Sequence, residues 1–465
     1  MPIGDLGPEL AVLLTAVATL LAAMALPQRL HAVCAALAAV GLAVAAVLAL
    51  GQAGASRYTF SGTFALDGAT MASRLLILGL TALVLPLAPG WLATDRRHGE
   101  FYAMLLFSTL GAMAMAGAAD LMQLVIGVLL SSVTGYVLAA YHRDWHISLE
   151  AGMKYFLLGA LANALLVFGV VLILGMAGTT DYGELAGTLP DEALTLTGLA
   201  LVVIGLLFKL GAVPGHAWVP DVAEGAPVPA AAFLTVVPKI AAAVALARVV
   251  TLVPVDGAPL RALVAVAAAL TMTLGNLGAL WQDDVRRLLG WSSVSQSGYA
   301  LMAVAVLGTV PTAAPALLAF LGVYGLGNVA AFAVVAYLRG RTDRADYTGL
   351  LGASPVAFAV LALAFLSFVG IPPLGGFLGK FALFRATIEG GLGWLALVAA
   401  ANSVLSLFYY LRVIGPAMRA DRAGEVATLG RMPLVAAVGA AILVVLAAPL
   451  VWQPLWAALP VAVLP

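Results

Sequence analysis

The chain has 465 residues, 63% hydrophobic and 9% charged, with 22 basic and 22 acidic side chains and a formal net charge of zero. A mean hydropathy of +1.08 excludes a soluble domain of this size and fits a polytopic helical membrane protein. Cys34 is the single cysteine, so the chain holds no disulfide, iron–sulfur cluster or cysteine zinc site of its own, and neither a charged tail nor a nucleotide-binding motif points to nucleic acid or nucleotide.

Apolar windows of bilayer-spanning length lie at 8–26, 31–50, 71–93, 101–118, 121–141, 152–176, 194–212, 228–252, 259–281, 286–308, 312–338, 355–388, 391–413 and 433–452, fourteen in all. The first has no basic segment before it, which predicts a retained helix rather than a cleaved signal peptide. Between windows seven and eight, Pro214 and Pro220 flank His216 and Trp218, with Lys209 before them and Lys239 after. Proline removes a backbone donor and clashes with the preceding turn, so a helix break is expected near Pro214. Window twelve is too long for one straight span and contains Gly370, Pro372, Pro373, Gly375 and Gly376; it predicts a second break. Broken backbone at membrane depth is tolerated only beside protein or a water-filled cavity.

The connections set an orientation. With the N-terminus outside, the inner connections carry thirteen arginines and the outer side five, a positive-inside bias that places both termini on the periplasmic or exterior side. No linker of soluble-domain size occurs. The expected organisation is one membrane domain, with an N-terminal three-helix segment at 1–100, repeats at 101–252 and 259–413, and a last helix within 414–465.

All eighteen arginines fall in connections or near helix ends, whereas the four lysines, Lys154, Lys209, Lys239 and Lys380, lie in or at the ends of predicted spans. Arginine keeps its proton; a buried lysine can lose it. The expectation is fixed charge at the surface, titratable cations inside, and proton movement as the purpose. The two breaks, Lys209 with Pro214 and Pro373 with Lys380, stand five windows apart, the pattern of an ion path in a repeat-built transporter. His216, beside the first break, is a candidate relay. Ser292, Ser293, Ser295 and Ser297 give window ten a polar face, and Asn276, Asn328 and Asn402 are single amides in apolar runs; such residues serve either as interhelical hydrogen-bond glue or as water holders.

The stretches SLEAGMKYFLLGALANA at 148–164, FKLGAVPGHAWVPDVAEGAPVPAAAFLTVVPK at 208–239, GNLGALWQDDVRRLLGWSSVSQSGY at 275–299 and LSFVGIPPLGGFLGKFALF at 366–384 resemble the subunit N family of bacterial NADH:quinone oxidoreductase, respiratory complex I, among its antiporter-like proton-translocating subunits. The likeness runs in order from about residue 60 to 415. It implies an all-α polytopic membrane protein of about fourteen helices, two inverted five-helix repeats with broken helices seven and twelve, and a proton route along the central membrane plane. The family's central lysines match Lys209, Lys239 and Lys380, its helix-six lysine matches Lys154, and its aromatic-rich helix-seven motif is kept as His216, Trp218, Pro220 and Asp221. The resemblance further implies no cofactor on this chain, with NADH, FMN, iron–sulfur clusters and quinone on partner subunits, other antiporter-like and peripheral subunits as partners, and the bacterial inner membrane as location.

One departure stands out. The family carries a glutamate in helix five that pairs with the helix-seven lysine; counting back from SLEAGMKY puts Leu129 there, and no acidic residue lies between Asp120 and Asp144. Three readings follow: a proton-translocating subunit of NADH:quinone oxidoreductase; a subunit of an Mrp-type or hydrogenase-linked cation/proton antiporter; and a non-pumping structural subunit, which the missing acid favours.

Overall fold

In the computed structural model, residues 2–190, 192–254, 258–419, 428, 430–451 and 463 are described. The principal helices are α1 (Gly7–Ala25), α2 (Ala32–Leu50), α3 (Gly68–Val84), α4 (His98–Ala116), α5 (Leu121–Ala139), α6 (His146–Ala177), α7 (Ala193–Leu210), α8 (Trp218–Gly225), α9 (Val228–Leu234), α10 (Val237–Thr251), α11 (Ala258–Leu280), α12 (Val285–Ala305), α13 (Ala313–Tyr337), α14 (Pro355–Val369), α15 (Gly375–Glu389), α16 (Gly393–Ala417) and α17 (Met432–Val451). Among the described residues, eleven helical segments are long and apolar enough to cross a membrane, and α14 and the Met432–Leu446 part of α17 are shorter apolar helices. Helix α12 is also of spanning length, but its two arginines, four serines and Gln296 lower its hydropathy.

The segment Val228–Thr251, which holds α9 and α10, is buried at every residue but Thr251. It is the axis of the protein, with α3, α4, α7, α12 and α13 packed around α10. The peripheral helices α1, α2, α6 and α16 are mostly uncovered, in keeping with lipid-facing apolar surfaces. The expected single span at 228–252 is interrupted: α9 stops at Leu234, and Val236 takes φ −131° and ψ −62° before α10 begins. Pro238 lies in the first turn of α10, where a missing N–H costs least. The expectation missed this because Thr235 and Pro238 are the sequence's only marks of the interruption before Lys239.

A hairpin of β1 (Arg57–Thr59) and β2 (Phe64–Leu66) lies against α4 through the Phe64–Ala118 bridge. Beneath it are fixed charges that sequence position placed at the surface. Arg248 and Asp67 are both fully buried and bonded at 2.8 and 2.9 Å, and Arg248 Nε donates to the Ala116 carbonyl at 3.0 Å. Arg74 makes two 2.7 Å bonds to Glu9. Arg286 is 5% exposed and donates to the carbonyls of Ala223 and Ala226. The expectation of arginines only at the surface is therefore corrected. A helix end in the sequence is not an exposed end once a hairpin or a neighbouring helix covers it.

Two helix pairs share their packing details. Asp120 caps α5 and bridges to Asp181; Asp284 caps α12 and bridges to Asp343. A Cβ on Gly111 would meet Ser131 N at 2.4 Å, and one on Gly275 would meet Ser295 N at 2.4 Å. Close glycine contacts of this kind let helix backbones approach in membranes.

Candidate functional site

The first break begins at Gly211. Its φ of 70° is a left-handed conformation that glycine adopts without penalty, and it stops α7 three residues before Pro214. The chain then folds back on the helix it has left: Trp218 Nε1 donates to the Phe208 carbonyl at 2.9 Å. Ser297 Oγ donates to the Leu210 carbonyl at 2.8 Å. The Phe208 carbonyl, which also accepts from Gly211 N at 2.9 Å, and the Leu210 carbonyl at the helix end are thus met by side-chain donors from α8 and α12.

Lys209, in the last turn of α7, is fully buried, and its Nζ donates to Ser132 Oγ on α5 at 3.1 Å. Lys239 projects from the first turn of α10 and lies over the break: a Cβ on Gly211 would come within 3.1 Å of its Nζ. An ammonium has three hydrogens to donate. Lys239 has three acceptors, all on α12: Ser293 O at 3.0 Å, Ser293 Oγ at 2.6 Å and Ser297 Oγ at 3.1 Å. Ser293 and Ser297 are four residues apart and so share one helix face.

The second break repeats the arrangement. Gly370, φ 90°, ends α14 and α15 starts at Gly375. Lys380 lies over that glycine, its Cδ 3.2 Å from where a Cβ would stand. Its Nζ donates to Ser403 Oγ at 3.1 Å and the Val369 carbonyl at 3.3 Å, and sits 4.0 Å from the centre of the Tyr299 ring. A cation over an aromatic face is held by the ring quadrupole.

Helix α12 therefore stands between two lysine sites. Ser293 and Ser297 serve Lys239. Tyr299 serves Lys380, and Gln296 Nε2 donates to the Phe368 carbonyl at 3.3 Å in the last turn before the second break. Among the described residues no carboxylate lies within ion-pair distance of Lys209, Lys239 or Lys380, whereas Arg248 and Arg74 both have one.

Two expected site residues fall elsewhere. Lys154 has a side chain 46% exposed and pairs with Glu150 at 2.7 Å and Asp221 at 3.1 Å; Asp221 and Glu224 in turn hold Arg287 at 2.6 and 2.7 Å. It belongs to an ion-pair cluster that ties α6, α8 and α12 together, not to the buried set. His216 is half-buried at the first break, its ring 5.7 Å from that of Trp291, and no hydrogen bond joins it to a lysine among the described residues. Leu129 is 39% exposed on α5, and the residue that α5 presents to Lys209 is Ser132, three positions on. Residues three apart are neighbours on a helix surface, so Leu129 borders the position that meets Lys209 without being it.

Ser132, Gln296, Tyr299 and Ser403 were not singled out from the sequence. Tyr299 closes the SSVSQSGY stretch, and that polar run within an apolar window was the available signal. Ser132 and Ser403 carry no such mark.

The family described as NADH:quinone oxidoreductase/Mrp antiporter, TM, matches residues 118–406. NADH-quinone oxidoreductase subunit N 1 of Streptomyces griseus is 44% identical over 420 residues, covering 89% of this chain and 88% of that protein. NADH-quinone oxidoreductase subunit N of a Mycobacterium species is 42% identical over 426 residues, covering 90% of each. A chain of respiratory complex I from Thermus thermophilus superposes with a TM-score of 0.85 at 29% identity, over 98% of this chain and all of that one. A chain of the Mrp complex from Dietzia shares the fold, with a TM-score of 0.86 at 21% identity over 99% of this chain and 96% of that one.

Proposed function

The chain belongs to the subunit N family of NADH-quinone oxidoreductases, within the NADH:quinone oxidoreductase/Mrp antiporter membrane family, and from that premise we propose that it moves protons through Lys209, Lys239 and Lys380, driven by quinone reduction on other subunits. The observation that carries this reading is the contrast in partners. Arg248 and Arg74 have fixed counter-charges in Asp67 and Glu9, and Arg286 has carbonyls at the edge of the path; among the described residues the three buried lysines have only hydroxyl, carbonyl and ring partners. A carboxylate would hold the ammonium form in place. Neutral oxygens accept its hydrogen bonds and also tolerate the neutral amine.

In this mechanism a proton arriving on one lysine repels charge on the next, because like charges in a poorly screened interior disfavour each other. Lys239 and Lys380, on opposite sides of α12, would exchange charge across that helix. The second break frees the helix-end carbonyl of Val369, which serves Lys380 as an acceptor. His216 would relay protons at the mouth of the first break. Lys154, set in its ion-pair cluster, would bias charge at the edge of the path rather than carry the proton itself.

The reading places NADH, FMN, the iron–sulfur clusters and quinone on partner subunits, and the chain in the bacterial inner membrane beside other antiporter-like subunits, with both termini outside. The segment 1–100, the repeats 101–252 and 259–413, and the remainder from 414 form one membrane domain. The matched caps Asp120 and Asp284 and the matched close contacts of Gly111 and Gly275 support that division. The test is proton uptake by inverted membrane vesicles during quinone reduction. Lys239→Met and Lys380→Met should each assemble and abolish uptake; uptake at the parental rate in either would end the reading.

A further inference from the structure

Polar side chains beside Lys380 continue toward one end of the molecule. On α16, Asn402, Ser403, Ser406, Tyr409 and Tyr410 lie on a single face, spanning about 12 Å of helix rise. Lys380 Nζ reaches Ser403 Oγ at 3.1 Å, and Ser403 Oγ lies 3.0 Å from the Tyr299 hydroxyl. The Tyr299 hydroxyl also reaches the Ala399 carbonyl at 3.2 Å, and the Tyr409 hydroxyl donates to Asn276 Oδ1 at 3.0 Å. Asn276 also donates to Asn402 Oδ1 at 2.9 Å, and Asn402 donates to Thr273 Oγ1 at 3.2 Å. Tyr410 and Ser292 hydroxyls are 2.5 Å apart. Less than a turn beyond Tyr409, Arg412 reaches Asp283, whose side chain is 67% exposed, at 3.3 Å.

Asn276, Tyr299, Tyr409 and Tyr410 are at most 2% exposed and Asn402 is 5% exposed. Polar groups at membrane depth are costly and point to function by default. Packing alone does not account for their arrangement. Past Lys239, the same helical steps on α10 meet Ala242, Ala245 and Leu246, and all three are buried. Helix α10 packs as tightly with apolar residues; only α16 carries the polar chain.

We infer that the side chains of Ser403, Tyr299, Asn276, Tyr409, Tyr410 and Ser292, between α11, α12 and α16, form the proton path between Lys380 and the 281–284 connection. The inference rests on reading Lys380 as a proton carrier. A proton leaving Lys380 Nζ is taken by Ser403 Oγ as the hydrogen already on that oxygen passes to its neighbour. Each hydroxyl gains one proton and gives up one, water bridges the hydroxyls that do not touch, and Lys380 is left as the neutral amine. Asn276 transfers nothing; it is a positioning residue that holds the Tyr409 hydroxyl.

The test uses the whole complex in vesicles, with Cys34→Ala as background so that one introduced cysteine is the only thiol on this chain. Ser406→Cys, or Ser292→Cys if the first does not assemble, should react with silver ion applied to the face that carries Arg412, read as protection of this chain's one thiol from alkylation after denaturation. Ala242→Cys, at the matching step on α10, should not react. Tyr409→Phe keeps the ring and should lower uptake about 100-fold, the low end of what a positioned proton-transfer group contributes. Unreactive thiols at 406 and 292, reaction from the opposite face alone, or parental uptake by Tyr409→Phe would overturn the path. If Lys380→Met abolishes uptake while Tyr409→Phe does not, only the path fails. If Lys380→Met itself pumps, the underlying reading fails.

Discussion

The two helix breaks use one device with different surroundings. In each, a left-handed glycine ends the incoming helix and a lysine from elsewhere lies across it: Lys239 over Gly211 and Lys380 over Gly370. The partner of Lys380 in this comparison is thus Lys239 rather than Lys209. Lys209 stands two residues before its glycine, where the second break has Phe368. What the breaks share is an unwound carbonyl or serine oxygen within reach of an ammonium. What they do not share is the route outward. The second has hydroxyls toward the Arg412 end, and the first has an extra lysine and apolar side chains beyond Lys239. The difference teaches that the glycine–lysine crossing is the common core of each site, and that the polar residues around it set where a proton can come from.

Forcing the first break to resemble a structural ion pair should have the largest effect. Ser132→Asp would place a carboxylate beside Lys209 and give it what Asp67 gives Arg248. A counter-charge at that range holds the ammonium roughly 10- to 1,000-fold more tightly, so proton uptake in vesicles should fall by at least about tenfold with assembly intact. Unchanged uptake would mean that Lys209 need not release its proton.

The shared device is tested by Gly211→Ala and Gly370→Ala. A left-handed alanine costs about 1–2 kcal/mol, and the added Cβ would stand 3.1 Å from Lys239 Nζ or 3.2 Å from Lys380 Cδ. Both variants should lose uptake several-fold, measured beside the amount of assembled complex, Gly211→Ala the more because its Cβ would also stand 2.6 Å from Val219 Cγ2. Loss in one alone would break the equivalence of the two sites. A smaller effect is expected from Ser297→Ala. It removes one of three acceptors of Lys239, a hydrogen bond to a charged group worth about 1.5–3 kcal/mol, and leaves both contacts to Ser293. Uptake should fall less than in Ser132→Asp. The smallest effect on proton movement belongs to Leu129→Glu. That side chain is 39% exposed and borders Ser132, which bonds Lys209, so the added carboxylate sits at the edge of the Lys209 site and should lower uptake less than Ser297→Ala does.

The residues hardest to accommodate in a membrane were the ones legible in the sequence. Lysines and prolines inside apolar runs stand out because they are costly there, and this gave both breaks and the three central lysines. What was not legible depends on contacts between residues distant in the chain. Asp67 and Arg248 are 181 residues apart, so nothing near Arg248 announced a buried ion pair. Lys154 read as a membrane lysine until Asp221 came to lie beside it. Serine is ambiguous in the same way: Ser293 and Ser297 bind Lys239, Ser292 bonds Tyr410, and the hydroxyl of Ser295 has no partner among the described residues. Spacing alone does not say which face of α12 meets a lysine.

The central claim is that these lysines work by losing and regaining a proton, and that buried charge alone is not enough. Lys380→Arg tests it most directly. Arginine keeps a positive charge in the same place and does not release its proton. Measured as protons taken up per quinone reduced in inverted vesicles, Lys380→Arg should behave like Lys380→Met and show no coupled uptake. Uptake at the parental stoichiometry in the arginine variant would show that a fixed charge suffices at that position, and would contradict the account.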